Sequence, residues 1–356
     1  MEIAVIGGGV FGLTAAYQAA REGWQVTLYE ETRIGAGASG GVVGALAPHT
    51  PDQWNPKKQF QFEALDMAER FWRGVAETGG RNPGYGRIGR LQPLLDDHAR
   101  SLAEARIGDA AENWGAAYRW EVLAADAHPD LIAPEAAPGG LLFDSLSGRI
   151  YPARACASLA SACRALGVKI MEEAKVTAVA DDHLVLGGQT RRSDAIILAA
   201  GVESFALLTP LLGASPGKGV KGQAALLDAR LDAPVISGDG LYVIPHAGGV
   251  GVGSTSENSY TDLETDTQLD EVIARAKRLC PALRGAPVIE KWAGLRPKAK
   301  RRDPLVDHVG GRLWVMSGGF KIGFGVAPLL ATRLTDEMAG RESHIPPRFR
   351  LAFHMQ

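Results

Sequence analysis

Met1-Glu2-Ile3-Ala4-Val5-Ile6 runs straight into Gly7-Gly8-Gly9-Val10-Phe11-Gly12. The apolar run reads as a buried strand, and the stretch after it puts Leu13, Ala16, Tyr17 and Ala20 at the i, i+3, i+4, i+7 spacing of a helix face. The order is therefore strand, glycine turn, helix. In such a GxGxxG turn Gly7 permits the tight bend and Gly9 lets the backbone approach a pyrophosphate. Gly12 lets the helix pack close to the strand, and the helix N-terminus offers free N–H groups to phosphates. After Gly23 a second strand, Gln25–Tyr29, ends in Glu30, at the usual distance for an acid that accepts hydrogen bonds from ribose hydroxyls. A lone GxGxxG is often an ordinary βα turn; the ordered set is specific for a dinucleotide. Glu30 would repel a 2′-phosphate, so FAD or NAD is expected over NADP.

A chain of 356 residues exceeds the size at which one hydrophobic core keeps growing, which predicts two domains. Its formal net charge of −2, with both signs scattered, predicts no general attraction to nucleic acid or anionic membrane. Cys156, Cys163 and Cys280 are odd in number and lack CxxC spacing, which argues against a disulfide framework, a zinc site or a redox-active pair. No metal is expected. The chain starts on its first strand, leaving no room for a secretory leader, so a cytoplasmic location is expected. The apolar stretch 195–212 is interrupted by Gly201, Glu203 and Pro210 and reads as a strand plus a short helix, not a membrane span.

Residues 35–48 are almost all small, which would let a large planar ligand lie against bare backbone; a flexible linker is the alternative. Residues 56–78 carry Phe60, Ala64, Met67, Phe71 and Val75 near helical spacing and stop at Gly79-Gly80, so this is a core-facing helix. A polar helix is expected over 97–113 and another over 153–166, ended by Gly167, with Cys156 and Cys163 in the core. Strands follow at 168–171, 175–180 and 193–199, and β-rich alternation occupies 222–227 and 241–253. This pattern predicts an α/β protein whose cofactor domain is discontinuous (1–80, 141–214 and 291–356), with a substrate domain inserted as 81–140 and 215–290.

The ordered set of Ile6 to Gly12, Ala38-Ser39-Gly40-Gly41, Ala45-Leu46-Ala47-Pro48, Ala199-Ala200-Gly201, Lys221-Gly222-Gln223, Tyr242-Val243-Ile244-Pro245, Gly251-Val252-Gly253-Ser254-Thr255 and Gly294-Leu295-Arg296-Pro297 resembles the D-amino-acid oxidase superfamily of FAD enzymes. Within it the chain is most similar to the glycine oxidase group, from residue 1 to about 340. The resemblance implies a Rossmann-type FAD-binding domain with a second, mostly antiparallel β-sheet substrate domain over the flavin. It also implies noncovalent FAD held by Gly7, Gly9, Val10, Phe11, Gly12, Glu30, Glu31, Ala38, Ser39, Gly40, Gly44, Ala45, Leu46, Val176, Ala200, Gly201, Gly294, Gly319, Phe320, Lys321, Ile322 and Gly323.

Arg296 has a planar fork suited to a carboxylate, and in the resembled family the arginine of this motif holds the substrate carboxylate. The alternative is a structural salt bridge to Asp303 or Asp307. The tyrosine matching Tyr242 faces substrate in glycine oxidases, although a strand tyrosine is as often core. Trp292 reads as packing. Where glycine oxidases carry Gly-His-Phe-Arg-Asn-Gly, this chain has Gly318-Gly319-Phe320-Lys321-Ile322-Gly323. Gly319 in place of His should leave room for a substrate larger than glycine. Lys321 in place of Arg should supply positive charge near the flavin or reach the substrate, with a surface lysine as the alternative. His49 and His246 border two motifs and read as structural.

The expected reaction is FAD-dependent oxidation of the C–N bond of an amino acid or related secondary amine to an imine, with oxygen or another electron acceptor taking the electrons. The rival readings are a 2-hydroxy-acid dehydrogenase, which would need His49 or His246 as base, and a flavoprotein subunit passing electrons to a partner. The basic run Lys298, Lys300, Arg301 and Arg302 reads as a solvated loop, and neither DNA nor RNA is an expected partner. A homo-oligomer is left open.

Overall fold

Because Glu2–Ile6 is the first strand and is apolar at four consecutive positions, both of its faces must be covered. A computed structural model describing residues 1–356 shows that they are. The strand sits inside a six-stranded sheet in the order Leu305–Gly310, Leu313–Ser317, Ala195–Leu198, Glu2–Ile6, Gln25–Tyr29, Lys169–Met171. Every pairing is parallel except the hairpin formed by its two C-terminal strands. Ile3 and Val5 join the larger core cluster with Leu13, Leu28 and Leu330, whereas Ala4 and Ile6 point to the other face with Ile196, Leu198, Phe205 and Leu208. The helices Val10–Arg21, Pro152–Ala165 and Gly323–Met338 pack together on the first face.

The helix Pro56–Gly79 starts as its sequence predicts. Asn55 accepts from the backbone N–H groups of Lys57 and Lys58 (3.1 and 3.2 Å), Pro56 occupies the first helical position, and Gly80 ends it in the left-handed region. The polar segment expected as one helix over 97–113 is instead two, Asp97–Ala105 and Ile107–Trp114. At the break the carbonyl of Ala103 accepts the indole N–H of Trp120 (2.8 Å), a tertiary contact that periodicity does not reveal. The alternation over 241–253 resolves into the hairpin Leu241–His246 and Gly249–Gly253.

The second layer is an eight-stranded sheet in the order Val288–Ala299, Gly217–Leu227, Gly249–Gly253, Leu241–His246, Val235–Gly238, Arg90–Leu94, Gly140–Asp144, Trp120–Leu123. It is antiparallel except where Val235–Gly238 meets Arg90–Leu94. The helix Thr267–Leu279 covers one of its faces, burying Leu227, Leu241, Val243 and Val252. No helix is long and apolar enough to cross a membrane. Cys156, Cys163 and Cys280 are buried, and burial pushes their thiols up to about 12, 12 and 11.

Candidate active site

Gly7 turns the chain at φ +110°, and a Cβ there would lie 2.5 Å from the Ala199 carbonyl oxygen. This close crossing brings Ala199-Ala200-Gly201 against the glycine turn. A Cβ on Gly12 would overlap the Gly7 carbonyl, so the helix Val10–Arg21 seats directly on the turn. Gly9 at the N-cap has no side chain to offer and the first helical turn holds no acid, so beyond the Val10 N–H the positive end of the helix is left to an anion. Ser39 Oγ accepts from the Val10 N–H (3.0 Å) and ties the small-residue segment to this end. Glu30, at the end of its strand, accepts from the Gly8 N–H (2.7 Å) and the Thr32 N–H (3.0 Å). Its neighbour Glu31 pairs with Lys175 (2.6 Å).

These groups form one end of a cavity of about 590 Å³ that continues to Tyr242 and Arg296. All the residues expected to hold FAD or substrate line it except Gly12 and Gly40. Both exceptions are packing glycines: a Cβ on Gly40 would fall on the Gly35 carbonyl. Residues 41–47 run along the cavity as a wall of backbone and small side chains. Gly251 lets the Val42 carbonyl cross the neighbouring sheet, and His246 Nε2 donates to the carbonyls of Val43 (2.9 Å) and Val42 (3.2 Å). Burial drives the His246 imidazole down to about 4, so it is a neutral clamp. His49 is likewise held below its ordinary value by burial and is tied to Gln61. No histidine and no cysteine lines the cavity.

At the far end, alternation along Leu241–His246 sends Leu241 and Val243 to the helix-covered face and Tyr242 to the cavity. Arg296 extends from the edge strand Val288–Ala299, opposite Val220. Its guanidinium makes one protein hydrogen bond, from Nη1 to the Thr255 carbonyl (3.0 Å), and no salt bridge. The two carboxylates that could have claimed it are engaged elsewhere. Asp303 pairs with Lys57 (2.5 Å) and Arg348 (2.6 Å), and Asp307 with Arg350 (3.2 Å). Burial lowers Arg296 to about 10, with nearby Glu257 opposing the shift, and it remains charged at neutral pH.

Lys321 follows Phe320, whose N–H donates to the Pro297 carbonyl (2.9 Å) and so pins this turn to the Arg296 strand. Lys298 and Lys321 flank the Phe320 ring, with their Nζ atoms 5.6 and 5.8 Å from its centroid. Neither makes an ion pair; burial first, then Arg296 and Lys298, lowers the Lys321 ammonium below its ordinary value. Gly319 does not open the cavity as expected. A Cβ there would lie 2.6 Å from Phe11 Cζ, because the Phe11 ring occupies the direction a side chain would take. Trp292 is a wall of the cavity as well as packing, lying over Gly41 and Gly294. Sequence reasoning passed over Leu263, which reaches the wall from an irregular segment with no periodic signal, and gave Ser254, a member of a quoted motif, no role at the wall it also lines.

The residues present fit FAD. An open helix N-terminus, a strand-end carboxylate and a small-residue wall stand along a single cavity of the size that holds large ligands. The model of the DAO family, described as FAD dependent oxidoreductase, matches residues 2–337. A glycine oxidase of Pseudomonas putida is 30% identical over 97% of this chain and 96% of its own. Among solved structures, glycine oxidase from Geobacillus kaustophilus superposes with a TM-score of 0.87 at 21% identity, covering 98% of this chain and 97% of its own. Iminodiacetate oxidase from Chelativorans sp. BNC1 gives a TM-score of 0.82 at 22% identity, covering 98% of both chains.

Proposed function

Since this chain belongs to the DAO family of FAD-dependent oxidoreductases and is an FAD-dependent enzyme of the amino-acid oxidase type, we propose that it oxidises the C–N bond of a small amino acid or related secondary amine. The observation that carries this reading is the Arg296 guanidinium, charged, half-buried and unpaired by any carboxylate, at the end of a cavity that fits FAD. A buried fork with free donors calls for an anion with two parallel oxygens.

In this assignment FAD, bound noncovalently by the residues named from the sequence, supplies the two-electron acceptor. The Gly7-to-Gly12 turn and the helix N-terminus hold the pyrophosphate, Glu30 the ribose hydroxyls, and Ala38 to Leu46 with Gly319 to Gly323 the ring system. Arg296 binds the substrate carboxylate and fixes the orientation of the Cα–N bond, with Tyr242 beside it. Trp292, Leu263 and Leu295 exclude water from that end. Lys321 adds positive field where negative charge accumulates during the reaction. The substrate, as the neutral amine, loses two electrons and two protons from its C–N unit to become an imine, and water then hydrolyses it to an oxo acid or aldehyde plus ammonia or an amine. We assign oxygen as the final acceptor, giving hydrogen peroxide, in keeping with the relatives named oxidases.

A 2-hydroxy acid would need a base at its hydroxyl. His246 spends its Nε2 proton on backbone carbonyls and neither candidate histidine reaches the cavity, which counts against that reading. The test is anaerobic bleaching of the purified yellow protein by glycine, D-amino acids, N-methyl amino acids and 2-hydroxy acids. Bleaching by an amine carboxylate with release of ammonia or amine is expected; bleaching by hydroxy acids alone would overturn the assignment. Reduced protein that persists for minutes in air would replace oxygen with another acceptor.

A further inference from the structure

Lys221-Gly222-Gln223 takes no part in the reaction as assigned, yet Gly222 meets Arg296 directly and its two neighbours reach it through Thr255 and Glu257. The strands Gly217–Leu227 and Val288–Ala299 pair with Val220 opposite Arg296 and Gly222 opposite Gly294. The Arg296 side chain leans one pleat along this ladder and lays its guanidinium over Gly222. A Cβ on Gly222 would fall on the Cζ, Nη1 and Nη2 atoms. The obstacle to a larger residue is thus the movable end of a side chain rather than backbone, so the sheet tolerates alanine while the arginine must leave.

Gln223, fully buried, governs the carbonyl that Arg296 touches. Its backbone N–H donates to Thr255 Oγ1 (2.9 Å) and its carbonyl accepts from the Thr255 N–H (3.2 Å). Its side chain donates to Glu257 (3.0 Å) and accepts from the Asp266 N–H (2.8 Å). Thr255 also donates its hydroxyl to Glu257. Lys221 closes the arrangement: its backbone exchanges two hydrogen bonds with Glu257 (2.9 and 3.0 Å). Its side chain is 3% exposed, and its ammonium lies 3.6 to 3.8 Å from carboxylate oxygens of Glu257, Asp262 and Asp266.

We propose that Lys221-Gly222-Gln223, with Thr255 and Glu257, is the cradle that positions the Arg296 fork. Gly222 provides the space, Gln223 and Glu257 fix the Thr255 carbonyl that holds one N–H, and Lys221 locks Glu257 in place. The remaining donors of Arg296 are then aimed into the cavity before substrate arrives. These are positioning residues, acting on substrate only through Arg296, and the inference rests on Arg296 being the carboxylate anchor.

A double-mutant cycle on FAD-loaded protein tests it, with acetate as the probe and the flavin absorption change as the readout. Gly222→Ala should weaken acetate binding about 10- to 100-fold, the loss of one charge-assisted hydrogen bond, while the protein keeps its flavin. In an Arg296→Lys background, where no guanidinium covers residue 222, the same substitution should change binding less than about threefold. Equal losses in both backgrounds, or no loss in the parent, would overturn the cradle. Acetate that fails to bind the parent, or binds unchanged to Arg296→Lys, would instead overturn Arg296 as the anchor, and the cradle with it. Should Gly222→Ala not fold, Glu257→Gln decides. Loosening the Thr255 carbonyl in this way should weaken acetate binding several-fold in the parent and change it less than about threefold in Arg296→Lys, and equal effects in both backgrounds, or none in the parent, would overturn the proposal.

Discussion

The two ends of the cavity are built in opposite ways. The end assigned to the nucleotide is mostly backbone: a glycine turn, a helix N-terminus and a small-residue wall, nearly all within residues 6 to 47. The end assigned to the substrate is made of side chains, Tyr242, Trp292, Arg296 and Lys321, carried by three separate parts of the second half of the chain. Binding a large, constant ligand with backbone leaves little for evolution to vary, whereas side chains on a rigid sheet can be exchanged singly. Each end should therefore fail independently of the other.

The largest effect is expected at the substrate end. Arg296→Ala should lower kcat/KM for a carboxylate substrate by about 10²–10⁴-fold, the ~3–5 kcal/mol of stranding one member of a buried charge pair. Arg296→Lys should be intermediate, and both should retain the flavin spectrum. The parent should hold a carboxylate fully at neutral pH and lose it progressively as pH rises through about 10, since only the guanidinium form binds. Concurrent loss of FAD would break the comparison.

Glu30→Ala is the reciprocal test. FAD retention, measured as free flavin after dialysis, should weaken by the ~1.5–3 kcal/mol of a charge-assisted hydrogen bond. The substrate KM at saturating FAD should not move; a joint change would show the two ends to be coupled.

His246 sharpens the picture of the wall between them. Its folded pKa, about 4, lies below the ordinary 6.5 because burial disfavours the charged ring. Its contribution is therefore complete above pH 6.5 and is lost as pH falls towards 4, an effect on the order of 1–3 kcal/mol. Urea titrations should show this loss in the parent and a shallower one in His246→Gln.

The smallest effect belongs to Lys321, at the junction. Lys321→Ala should alter turnover by about tenfold at most, as for a charge in partial contact with solvent. A change in flavin potential or sulfite affinity would place it with the cofactor, and a change confined to KM would place it with the substrate.

Legibility followed the same division. The first strand, turn and helix could be read from residues 1–30 because GxGxxG chemistry is local. Tyr242 and Arg296 have no local signature; only their place in an ordered set of family motifs marked them. The Phe11 ring beside Gly319 was invisible because it joins residues more than 300 positions apart. Separation along the chain, though shorter, also hides the cradle, where a glycine's worth depends on which side chain happens to lie across it.

The sheet order has a consequence for synthesis on the ribosome. Glu2–Ile6 is flanked by Gln25–Tyr29 on one side and by Ala195–Leu198 on the other, and Leu313–Ser317 adds beyond that. At about 5–20 residues per second, the first strand emerges roughly ten to forty seconds before its second neighbour exists. During that interval an apolar edge is exposed in the nascent chain, and premature termination before residue 195 would release it permanently.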